Sequence, residues 1–233
     1  MKTWFSLLAL LALPGPAIAG YKLLQNDGFT DGSHAAFQGG FVDGECWGVV
    51  YQPDPGDYPF EWVHIDALIG GTTSHAMFGI EFYELSGTNL NGASRIDSSA
   101  IYLNGSNSSY QRVYVDADLE VTLPTVTSGN VAVGMCLDGH SGYPAIARDV
   151  DGNIDSSLNY IYLPSHGSWW ASNLFGLTGD WIQRLCIETD NVSGDECDVD
   201  ADSDADTDTD TDADADSDAD SDADTDTAWD SSD

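Results

Sequence analysis

The chain of 233 residues sets 40 acidic against 6 basic side chains, a net charge of −34. That balance repels polyanions, so nucleic acid and anionic membrane surfaces are excluded as partners, while cations and neutral polymers remain. The charge is uneven: residues 198–233 hold 17 aspartates and no Lys or Arg, and residues 20–197 hold 23 acids against 5 bases.

Residues 1–19 carry Lys2, an apolar run from Trp4 to Leu13, a Pro-Gly-Pro break and Ala17-Ile18-Ala19. This pattern predicts a secretory signal peptide cleaved before Gly20. The apolar run falls short of the roughly 18–20 residues a membrane span requires. The expected destination is secretion or the cell surface, with no membrane insertion.

From residue 20 to 188, short runs of β-branched and aromatic residues alternate with Gly, Asn, Asp, Ser and Pro. "FEWVHIDALIG" (60–70), "AMFGIEFYEL" (76–85), "YQRVYVDADLEV" (110–121), "NVAVGMCL" (130–137), "LNYIYL" (158–163) and "DWIQRLCIE" (180–188) each predict strands. Strict alternation in the first run puts Val63, Ile65 and Ala67 on the core face and Trp62, His64, Asp66 and Leu68 on the other. It likewise sets Val113 and Val115 opposite Tyr114. The number of strands and the spacing of the turns predict an all-β domain over 20–197: a single two-sheet antiparallel, jelly-roll-like β-sandwich.

Cys46, Cys136, Cys186 and Cys197 form an even set in an exported chain, which predicts two disulfides. Three pairings are open. The preferred one places a bridge inside the sheet core and a second that fastens Cys197 where the tail departs. No C-x-x-C spacing points to zinc.

"DVDGNID" supplies oxygen ligands at Asp149, Asp151, Asn153 and Asp155 around a turn at Gly152, a candidate structural Ca2+ loop. Its glycine comes at the fourth position rather than the sixth, and Tyr160 stands where an EF-hand glutamate would close the site, so a solvated turn is the competing reading. In "SHGSWWASNLFGLTGDW", adjacent tryptophans on a strand must face opposite ways. One of Trp169 and Trp170 is therefore a candidate platform for a sugar ring, with His166 and Asn173 as polar neighbours. Trp181 and Phe175 are expected in the core.

Catalytic signatures are missing: there is no G-x-S-x-G, no H-E-x-x-H and no phosphate-binding glycine loop. Glu81 and Glu84 are three apart on one predicted strand and so face oppositely. "CLDGHSG" reads as a polar turn.

From Asp198 to Asp226 every second residue is aspartate. Ala, Ser and Thr between the acids leave little to bury, and carboxylates about 7 Å apart repel within the Debye length of about 8 Å. The repeat therefore predicts a disordered tether with weak, diffuse cation binding, extendable to about 120 Å.

Together, "NDGFTDG...FQGGFVDGECWGVVYQPDPGDYPFEW", "ARDVDGNID...WWASNLFGLTGDWIQRLCIE" and the tail resemble uncharacterised exported jelly-roll-like β-sandwich proteins of myxobacteria and related delta-proteobacteria. The resemblance implies fold and export and carries no catalytic residue. The resulting expectation is a non-catalytic binding or surface module with a polysaccharide or cell-surface glycan as partner. The alternatives are a structural envelope or matrix protein whose acidic tail binds cations weakly, and a hydrolase with a scattered acidic site.

Overall fold

The computed structural model describes residues 19–29, 35–150 and 156–197. Residues 1–18 of the leader, the acidic repeat, and Asp151, Asn153 and Asp155 of the candidate calcium loop lie outside these residues.

In chain order the strands are β1 (Gly20–Leu24), β2 (Ala35–Phe37), β3 (Cys46–Tyr51), β4 (Phe60–Ala67), β5 (Ile69–Gly70), β6 (His75–Leu85) and β7 (Ser94–Asn104). They continue as β8 (Gln111–Tyr114), β9 (Asn130–Asp138), β10 (Ala145–Asp149), β11 (Asn159–Leu163), β12 (Ser168–Ala171), β13 (Asp180–Trp181) and β14 (Gln183–Thr189). One layer is a six-stranded sheet of order β12-β11-β3-β9-β6-β7. The facing layer combines β1-β14-β4-β8 with β13-β10-β2, and β5 also pairs with β10. These two parts meet where Leu68 N–H donates to the Ile182 carbonyl at 3.0 Å. All pairings between these strands are antiparallel, so the chain is the all-β sandwich that its turn spacing predicts.

Period-two alternation decides which side chains enter the core. From the six-stranded sheet, Trp47, Val49 and Tyr51, Ala76, Phe78, Ile80 and Phe82, and Val131, Val133 and Met135 meet Ile65, Val113, Leu185 and Ile187 of the other layer. Gln183 is fully buried at this junction. Its amide oxygen accepts from Trp47 Nε1 at 2.8 Å, its amide donates to the Val133 carbonyl at 3.1 Å, and its backbone carbonyl accepts from Tyr51 Oη at 3.0 Å. The hub satisfies polar atoms that would otherwise be costly in a dry interior.

Three expectations need correction. Trp62 belongs to the core and not to the face shared by His64 and Asp66. The β4–β14 register slips between Cys186 and Ile187, which pair with His64 and Trp62, so Val63 is the extra residue of a β-bulge and the alternation inverts there. Only the first part of 110–121 is strand, because Asp116 and Asp118 turn their carboxylates onto backbone N–H groups of Ala117 and Tyr114 and close a turn instead.

The third concerns the disulfides. Cys46–Cys136 and Cys186–Cys197 form, and the second does fasten Cys197. The first, however, lies on the outer face of the six-stranded sheet rather than in the core between the layers, because Cys46 alternates out of phase with Trp47, Val49 and Tyr51. At the tail's root, Arg112 donates from Nη2 to the Cys197 carbonyl at 2.8 Å while its Nε binds Asp66 at 2.9 Å.

Candidate functional site

The β11–β12 hairpin turns through Pro164 to Gly167, with His166 and Gly167 N–H both donating to the Leu163 carbonyl. Gly167 takes a φ of 61°, a left-handed conformation that favours glycine. The turn delivers the two tryptophans to opposite faces of an edge strand.

Trp169 goes to the outer face and is 5% exposed. Its ring lies over Gly48 and Gly134, where an added Cβ would come within 2.9 and 3.0 Å of the indole. Tyr83 meets it edge to face at 6.0 Å, and Asn91 accepts from its backbone N–H at 2.8 Å. The glycines on β3 and β9 make the trough that the indole fills, so Trp169 is a structural plug and leaves the candidate binding set.

Trp170 is 40% exposed. Its Nε1 donates to Ser168 Oγ at 2.9 Å, and the His166 ring stands nearly perpendicular at 6.0 Å. Ser165 Oγ lies 2.9 Å from His166 Nδ1. Thus Trp170 and His166 are brought together. Asn173 is exposed in the short 3-10 turn Ser172–Phe175, where its carbonyl accepts from Gly176 N–H.

Trp170 pairs with Ile161 across β11–β12, and directly opposed residues share a face. Ile161 also lines a groove of about 320 Å³ with Phe41, Leu163, Phe175, Leu177, Gln38 and Glu45. Phe175 was expected in the core but is 44% exposed, because Gly176 at φ 71° reverses the chain and leaves its ring at the groove. Trp181 is buried as expected. Sequence reasoning passed over the groove because Gln38, Glu45 and Leu177 are distant along the chain.

Asp149 ends β10 and is 1% exposed; its Oδ2 accepts from Gly28 N–H at 2.9 Å. Among the described residues, the close groupings of potential metal ligands are His64 with Cys186 and Cys197, and Glu81 with Cys46 and Cys136. In both, the sulfurs are already spent in disulfides.

The five basic residues of the domain are all engaged. Lys22 pairs with Asp54 and Asp57, Arg95 with Glu81, Arg112 with Asp66, and Arg184 with Asp27. Arg148 donates to the Thr178 carbonyl. The field outside the domain is therefore set by its surplus carboxylates. No helix among the described residues is long and apolar enough to cross a membrane.

No family model and no curated protein matches the chain. Among solved structures, a clostridial Cwp84 cysteine protease after propeptide cleavage is similar at 12% identity and a TM-score of 0.50, over 76% of this chain and 42% of that one. The cysteine protease and lectin-like domains of Cwp84, a surface layer associated protein of Clostridium difficile, are similar at 11% identity and a TM-score of 0.47, over 76% and 37%. The chain spans about two fifths of the length of these structures, and at 12% identity the likeness to the first speaks to the fold alone.

Proposed function

We propose that this chain is an exported, non-catalytic binding module whose ligand is carbohydrate, with Trp170 as the stacking platform and His166 and Asn173 as polar neighbours. The observation that carries the reading is the exposure of Trp170 on an edge strand whose other tryptophan is consumed as a plug. An exposed indole beside hydrogen-bonding groups suits the apolar face and hydroxyls of a sugar ring. Two disulfides and the leader sequence support an extracellular or surface location. A structural Ca2+ held by Asp149, Asp151, Asn153 and Asp155 belongs to the same proposal, as does the acidic repeat acting as a solvated tether.

The test is retention of the chain from Gly20 onward on insoluble polysaccharides, with calcium and with chelator. The expected result is retention on at least one polymer, lost in Trp170→Ala with the fold intact by circular dichroism. Loss in chelator supports the calcium loop. Retention insensitive to Trp170→Ala, or none, transfers the chain to a structural envelope role in which charge and cations act. Release of reducing ends from the polymer identifies a hydrolase instead.

A further inference from the structure

Of the described residues lining the groove beside Trp170, only Gln38 and Glu45 carry side-chain heteroatoms; the rest are aromatic, aliphatic or glycine. Both present acceptors. Gln38 donates one of its two amide N–H groups to the Gly39 carbonyl at 2.8 Å, which leaves the amide oxygen as an acceptor beside the second N–H. Glu45 uses Oε2 to accept from Val42 N–H at 3.0 Å, which fixes the carboxylate at the groove wall. Among the described residues Glu45 is the only charged one in the lining, and the domain's basic side chains are engaged elsewhere. A ligand here must offer an apolar face to Phe175 and Leu177, and must offer donors, with positive charge favoured and negative charge opposed. At about 320 Å³ the groove is at the small end of ligand sites, enough for one ring rather than a chain segment.

We infer that the groove is a subsite for a single sugar unit bearing a protonated amine, with the pyranose C–H face on Phe175, the ammonium on Glu45 and a hydroxyl donating to Gln38. This rests on the carbohydrate reading of Trp170 and specifies its ligand. Trp170 stacks the neighbouring unit of the same oligosaccharide, since its cross-strand partner Ile161 lines the groove. Uronic and sulfated sugars are rejected by Glu45 and by the surrounding acidic surface.

The experiment measures binding of short β-1,4-linked glucosamine oligomers to the full chain from Gly20, against N-acetylated and plain glucose oligomers of equal length, at pH 6 and raised salt. The amine ligand is expected to bind about tenfold more tightly than either neutral one, the difference made by a charge-assisted hydrogen bond. Glu45→Gln should reduce that ratio to about one, because the amide oxygen still accepts from Val42 and keeps the turn while the charge is gone. Phe175→Ala should weaken the amine ligand as well, with unchanged circular dichroism. The acidic repeat attracts amines without specificity, but that contribution does not respond to Glu45→Gln. Equal affinity for amine and neutral oligomers, or a preference that survives Glu45→Gln, overturns the subsite. If neutral oligomers still bind in a Trp170-dependent way, the carbohydrate reading stands and only the amine subsite falls; if no oligomer binds, both fall.

Discussion

The role of Trp169 as a plug can be tested by a double-mutant cycle with the glycine beneath it. Trp169→Ala removes an indole 5% exposed and leaves a cavity on the outer face of the six-stranded sheet, a change that costs about 3–5 kcal/mol. Gly134→Ala alone places a methyl 3.0 Å from Cη2 and 3.2 Å from Cζ2 of the same ring. The overpacking costs about 1–3 kcal/mol, against a small gain from replacing glycine inside a strand. In the double variant the methyl enters space the indole has vacated, so the strain disappears and part of the cavity is filled. Its cost should not exceed that of Trp169→Ala alone, a coupling of about 1–3 kcal/mol. Urea unfolding of the four proteins, followed by far-ultraviolet circular dichroism with a common m-value, measures this coupling. Additivity within about 0.5 kcal/mol would show that ring and glycine are not in contact and would return Trp169 to the binding candidates.

Other outcomes follow from named contacts. Gln183→Leu leaves the Trp47 indole N–H without its acceptor in the core, and should cost about 1–3 kcal/mol in urea unfolding. Replacing Cys46 and Cys136 by Ser should destabilise more than replacing Cys186 and Cys197. The separations of 90 and 11 residues correspond to about 4.6 and 3 kcal/mol of loop-closure entropy, which thermal melts of the two variants can rank. Burial would push the Asp66 carboxyl up, yet hydrogen bonds and charge from His64 and Arg112 outweigh it and hold it below 3.8. A lowered carboxylate stabilises the fold above its unfolded pKa and loses that contribution as pH falls through the folded one. Melting temperature should therefore drop below about pH 3.8 in the parent, and Asp66→Asn should be less stable at neutral pH and lack that acid limb.

The sequence by itself determined the layer structure, because alternation with period two needs only neighbouring residues. Phe78, Ile80 and Phe82, or Val131, Val133 and Met135, can face one way only if the strand is to bury them. It also determined that Trp169 and Trp170 must face opposite ways, which made one of them the candidate for an exposed ring. Which one was decided in three dimensions, by Gly48 and Gly134 on strands far along the chain, whose missing side chains make room for Trp169. The β4 bulge that turns Trp62 inward likewise depends on β14, since a bulge is a mismatch between two strands and neither sequence encodes it alone. The groove beside Trp170 arises the same way: Gln38, Glu45, Ile161 and Phe175 meet only because β3 and β11 are adjacent in the sheet and Gly176 reverses the chain.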